Sequence, residues 1–302
     1  MLNFLLELVP CLLIGFWLGR RHPDFSTRLA RPLVRFGVPV SVMGLLLRGG
    51  LSGAVLKAAA VAPVVVSLWF LAVSIRSVGE PHSSAALRLG SCVGNTAYVG
   101  VPLALAFLPE QALPITIGYD LGATLFTWSA GALVLAGGSV QSRSVFQGVV
   151  QGLLSSPASR GLLGALLVQC TPWSAGFAEA LWWPSRLVLV LALGVVGLRL
   201  GALFEQRSIS GVQTRGLRGA LVGKLLLFPL LVLLLGLLLR WDPLMVQALV
   251  LQGATPTAIS VLLIAESADR DQADAASLVF WSTVLALITA PLWGQVLRML
   301  VR

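Results

Sequence analysis

Apolar residues run along this chain in long, nearly unbroken blocks, and polar residues collect in the short segments between them. The blocks predict ten helices, at 2–19, 33–48, 54–75, 86–107, 113–136, 159–170, 179–202, 216–239, 244–265 and 274–299. The sixth is short and flanked by proline. The connections 20–32, 76–85, 137–158 and 203–215 are rich in Arg, Ser, Pro and Gly. A helix that crosses a bilayer needs about 20 apolar residues, and most of these blocks reach that length. Barrel strands would alternate apolar and polar residues; these blocks do not.

Composition sharpens the picture. Of 302 residues, 57% are hydrophobic and 11% charged, whereas a soluble domain carries about 25% charged residues. Mean hydropathy is +0.91. These values exclude a soluble enzyme, a disulfide scaffold and a disordered chain, and predict an all-α polytopic membrane protein. The net charge of +9 does not point to nucleic acid, because the basic residues sit in the short connections, where they set topology. With the N-terminus outside, fifteen fall on the cytoplasmic side: Arg20, Arg21, Arg28, Arg31, Arg35, Arg76, Arg88, Arg143, Arg160, Arg199, Arg207, Arg215, Arg218, Lys224 and Arg270. Six fall outside: Arg48, Lys57, Arg186, Arg240, Arg298 and Arg302. Both termini are therefore expected on the outer face of the cell (inner) membrane. The first block is followed by Arg20 and Arg21 and contains Glu7, the reverse of a secretory signal, so it reads as a membrane helix. Cys11, Cys92 and Cys170 form no ligand-spaced cluster and read as small buried hydrophobes.

The second half echoes the first at an offset of 154 residues. Pro102 falls on Pro256, Leu108 on Leu262, Asp120 on Asp274 and Phe126 on Phe280. Earlier, at another offset, Lys57 and Pro63 resemble Lys224 and Pro229. The units, 1–150 and 151–302, hold five helices each. An odd number places the second unit upside down, an inverted repeat of the kind on which secondary transporters are built.

Two blocks carry helix breakers at their centres. The fourth contains Gly94, Asn95, Thr96, Tyr98, Gly100 and Pro102; the ninth contains Gln252, Gly253, Thr255, Pro256 and Thr257. Proline removes an N–H and clashes with the preceding turn, and glycine weakens a helix. The helices should open there, with Pro102 and Pro256 holding the breaks. Unwound backbone at mid-membrane is tolerated only beside protein or a wet cavity, and half-helix N-termini suit anions. Asn95, Thr96, Tyr98, Gln252, Thr255 and Thr257 are therefore the candidate substrate-binding residues. Packing kinks are the alternative.

The segment GNTAYVGVPLALAF, with Gly94, Asn95, Gly100 and Pro102 in place, resembles the fourth-helix motif of the auxin efflux carrier family, including its bacterial permeases. GATPTAISVLLIAE is similar to the family's ninth-helix segment, and Lys224 with Pro229 resembles its eighth helix. The resemblance implies a bile-acid-symporter-like fold of ten helices in two inverted repeats, with the fourth and ninth crossing at their breaks. It implies a scaffold of helices 1, 2, 6 and 7, and a transport unit of helices 3–5 and 8–10 that moves in an elevator-like shift. It implies substrates such as malonate, malate or indole-acetate.

Asp120 lies inside the fifth block, where a carboxylate is costly and marks function by default. It is a candidate coupling group, a hydrogen-bond acceptor for the broken fourth helix, or a structural carboxylate. Asp274 is expected to cap the tenth helix. Glu266, Asp269 and Asp271 are expected in a solvated loop, and Glu7 at the interface. Lys57 and Lys224 are expected to snorkel, or one of them to guide an anion. Trp182, Trp183, Trp241 and Trp293 read as an interfacial belt. His22 and His82 stand in connections without ligand partners, and no nucleotide, metal or hydrolase motif occurs. The sequence thus predicts a transporter of small organic anions with no cofactor, bedded in lipid, with a second copy of the chain as a candidate partner. A sodium-coupled symporter, a membrane enzyme or lipid-handling protein, and a non-transporting receptor stand as alternatives.

Overall fold

The computed structural model describes residues 2–76, 84–135, 157–206, 209, 211–212 and 214–301. His82, Arg143, Arg207 and the side chain of Glu7 lie outside the described residues, as do most of the connections 76–85 and 137–158. Every described regular element is helical. They are α1 (Leu2–Arg21), α2 (Pro23–Pro32), α3 (Val38–Gly49), α4 (Gly53–Arg76), α5 (Ala85–Gly90), α6 (Val101–Phe107), α7 (Leu113–Phe126) and α8 (Ala132–Leu135). After these come α9 (Pro157–Gln169), α10 (Ser174–Glu205), α11 (Arg215–Val222), α12 (Phe228–Leu238), α13 (Pro243–Gly253), α14 (Ile259–Ser267) and α15 (Gln272–Leu300). Four continuous stretches have the length and apolarity of membrane spans: Gly53–Ile75, Ser174–Glu205, Arg215–Leu238 and Gln272–Leu300. Their outer faces carry exposed Leu71, Ile75, Leu187, Leu238 and Ile288, a surface suited to lipid rather than water.

Within the segment 20–32, expected as a connection, Pro23–Pro32 form the helix α2, with Pro23 at its first position, where a missing N–H costs nothing. Wide π turns interrupt several helices, and three of the four precede a proline. They run Leu33–Gly37 before Pro39, Thr96–Gly100 before Pro102, and Gly223–Leu227 before Pro229. In each, the residue just before the proline (Val38, Val101 or Phe228) donates to the carbonyl five residues back. The wider turn relieves the clash between the proline ring and the carbonyl four residues earlier. That carbonyl loses its donor, and at two sites a side chain supplies one. The Trp293 indole N–H donates to Leu225 O at 2.9 Å, and the Arg160 guanidinium to Arg35 O at 3.3 Å.

Helix pairs come together where glycines remove side chains. A β-carbon on Gly15 or Gly19 of α1 would collide with the carbonyl of Gly194 or Leu198 of α10. One on Gly197 or Gly201 of α10 would collide with that of Leu12 or Phe16. Gly118 and Gly122 of α7 sit in the same way on Val55 and Ala59 of α4. Four-residue spacing of glycines lets membrane helices pack backbone to backbone.

Several expected roles change. Lys57 is exposed, as snorkelling requires, but Lys224 is fully buried at 0% exposure. Asp271, not Asp274, stands at the N-cap of α15, and Asp274 lies in its first turn. The Asp271 carboxylate accepts the Ala86 N–H at 3.3 Å, joining the acidic run to α5. Glu266 pairs with Arg199 at 2.6 Å, so this run is not a free solvated loop. The Trp293 indole is bonded to Leu225 O, and Trp182 and Trp183 lie inside the long helix α10, with Trp183 exposed. Cys92 is buried, Cys11 half-buried and Cys170 exposed, so the small-hydrophobe reading fits Cys92 best.

Candidate substrate site

The expected fourth helix is α5, an opening at Ser91–Asn95, then the π turn and α6; the ninth is α13, an opening at Ala254–Ala258, then α14. The two openings meet. Gly94 and Thr257 form an isolated antiparallel bridge. The Asn95 N–H donates to Pro256 O at 2.7 Å, and the Ala258 N–H to Val93 O at 3.1 Å. Each opening thus supplies the hydrogen-bond partners that the other needs, which is how unwound backbone survives away from water.

The register of the meeting corrects the sequence reading. Gly94 pairs with Thr257, 163 residues on, so the openings do not follow the 154-residue offset that matches Pro102 with Pro256. Pro256 lies in its opening. Pro102 lies past its own, at the start of α6, where the π turn absorbs its missing N–H. It does not hold the break open. The glycines are needed for close approach. A β-carbon on Gly94 would collide with Thr255 Oγ1 and lie 3.3 Å from Lys224 Nζ, and one on Gly100 would collide with the Gln252 carboxamide. Gly253 is the last residue of α13.

The polar side chains at the crossing divide into two groups. The threonine hydroxyls are engaged within the protein. Thr96 donates to Asp120 Oδ1 at 2.5 Å, Thr255 to Gln252 O at 2.7 Å and Thr257 to Gly90 O at 2.9 Å. The Thr257 N–H in turn donates to Ser282 Oγ at 3.0 Å. Asp120 is buried in α7, and its described partner is the broken fourth helix. Tyr98 is half-buried where two apolar clusters adjoin. The two carboxamides differ from the threonines. Asn95 Oδ1 accepts the Tyr98 N–H at 3.4 Å, capping the turn, but Asn95 Nδ2 has no partner. Gln252 is 0% exposed, and neither Nε2 nor Oε1 has one. Leaving a buried amide unpaired costs about 1–3 kcal/mol. The N-cap position of α14, Ala258, contributes no side-chain cap, so that positive helix end is also unmasked.

Sequence reasoning placed Lys224 at a helix end, to snorkel or to guide an anion, and did not foresee its contact with the second opening. Its ammonium donates to Gly253 O at 2.6 Å and lies 5.1 Å from the centre of the Phe228 ring.

The family model described as membrane transport protein matches residues 186–294. An uncharacterized transporter of Methanothermobacter thermautotrophicus is 25% identical over 317 aligned positions, covering 97% of each chain. Both similarities are to membrane transport proteins, in line with the family resemblance carried by the two broken helices. It is an integral membrane protein and a membrane transporter. A membrane transporter works embedded in lipid and handles a small-molecule substrate. The family match runs from within α10 to most of α15 and so contains Lys224, Gln252 and the ninth-helix opening.

Proposed function

We propose that this chain is a member of the auxin efflux carrier family and a secondary transporter of small organic anions, carboxylates of the malonate or malate class. The substrate is bound where the two openings cross. The observation that carries the reading is the pair of buried carboxamides, Asn95 and Gln252, with amide N–H groups that no protein atom accepts. A carboxylate accepts such donors, and charge-assisted hydrogen bonds are about twice as strong as neutral ones. Thr96, Thr255 and Thr257 hold the openings in shape, and Tyr98 borders the site where the two apolar clusters adjoin. Asp120, a carboxylate one hydrogen bond from the opening, carries the coupling proton.

The same reading assigns ten spans in two inverted halves, 1–150 and 151–302, with both termini outside the inner membrane. Helices 1, 2, 6 and 7 form the scaffold; helices 3–5 and 8–10 move as the transport unit. The glycine-packed pairs α1–α10 and α4–α7 support that division, each holding together helices of one unit. Transport is tested by uptake of labelled malonate, malate, a monocarboxylate and indole-acetate into proteoliposomes, with and without proton or sodium gradients. One of these should accumulate. Tight binding of an anion with no flux would instead make the protein a receptor.

A further inference from the structure

Among the described residues, Lys224 is the one buried cation at the crossing. Its ammonium meets the carbonyl of Gly253, the last residue of α13, and abuts Gly94 of the other opening. Among the described residues no carboxylate lies within ion-pair distance of it. The corresponding end of α5 is treated differently, since Gly90 O receives only the Thr257 hydroxyl. The C-terminal end of a half-helix carries partial negative charge, and in transporters such ends coordinate a free cation. Here a covalently held ammonium stands at that end. Burying an unpaired ammonium is expensive, so it needs a compensating role.

We infer that Lys224 is a tethered cation. It occupies the place that a free coupling cation would take at the end of α13, and its charge balances the bound anion, so no sodium ion accompanies the substrate. The inference rests on the transport reading for its flux prediction only. Lys224 is a positioning residue for the opening as well as a specificity-determining charge, and the exposed Lys57 does neither.

The test compares melting temperatures of the purified, substrate-free protein in equal concentrations of sodium, propylammonium or choline chloride. Lys224→Ala should be stabilised by propylammonium or sodium relative to choline, while wild type and Lys57→Ala respond to none. An identical response of Lys224→Ala to all three salts, or a sodium response in wild type, would overturn the inference. If Lys224→Ala does not fold, Lys224→Gln replaces it, because its amide still donates to Gly253 O without charge. In proteoliposomes its anion uptake should fall roughly tenfold or more with melting unchanged, and wild-type uptake should be the same in sodium and choline. Full uptake by Lys224→Gln, or sodium-dependent uptake by wild type, would overturn it. If wild type moves no anion at all, the transport reading fails, and the melting contrast decides the role of Lys224 alone.

Discussion

The main-chain N–H of Asn95 and the carbonyl of Pro256 are joined at 2.7 Å. The bond links an opening in one broken helix to an opening in another, 161 residues further along the chain. With the reciprocal bond from Ala258 to Val93, it makes the two openings one structural unit. A ligand held between Asn95 and Gln252 would therefore be held by both halves of the protein at once.

Gly100 tests how closely the carboxamide of Gln252 is placed. A β-carbon there would collide with it, and misplacing a binding group by about 1 Å costs on the order of a hundredfold. Gly100→Ala is expected to lose at least tenfold in uptake while melting within a few degrees of wild type. Unchanged uptake by the folded variant would show that Gln252 does not need this position.

Asp120→Asn keeps an acceptor for the Thr96 hydroxyl but cannot exchange a proton. It should abolish stimulation of uptake by a proton gradient and preserve exchange of labelled for unlabelled substrate across the bilayer. Equal stimulation in wild type and variant would remove Asp120 from coupling.

The sequence made the helices and both interruptions legible, because apolar runs and helix breakers act locally. It misplaced the fourth-helix opening. Pro102 looked like its cause, but a π turn can absorb a proline without opening the helix, and the opening falls earlier, at Ser91–Asn95. A proline alone does not signal such a turn, since Pro39, Pro102 and Pro229 follow one whereas Pro63, Pro184 and Pro291 lie inside continuous helices. The threonines could not be told from the carboxamides by composition. For Thr96 and Thr257, whether the hydroxyl is occupied depends on Asp120 and Gly90, which only the tertiary fold brings near. Lys224 was misread for a related reason, because a lysine near a helix end is usually free to reach the surface, and here α13 and the fourth-helix opening enclose it.

Trp293→Phe removes the donor to Leu225 O, the carbonyl that Pro229 leaves without its usual partner. Loss of that bond should lower stability by about 1–3 kcal/mol, read from chemical or thermal unfolding in detergent, with no effect on substrate affinity. Wild-type stability in Trp293→Phe would mean that the π turn satisfies the carbonyl in another way.

Two ion pairs, Arg48–Glu110 and Arg199–Glu266, join the proposed scaffold to the proposed moving unit. Their side chains are a quarter to two-fifths exposed, so each contributes about 1 kcal/mol or less. Breaking one pair should alter the rate of alternation more than stability. Glu110→Gln and Arg199→Gln are each expected to change turnover a few-fold in opposite transport directions, with melting unchanged. The same change in both directions would argue against a movement that breaks the two pairs in turn.

The central claim is that an organic anion binds between Asn95 and Gln252. Its most direct test is uptake of the labelled carboxylate panel into proteoliposomes by wild type, Asn95→Ala and Gln252→Leu, each confirmed folded by melting. One anion should accumulate in wild type and fail to do so in both variants. Accumulation by either folded variant at the wild-type rate would contradict the account.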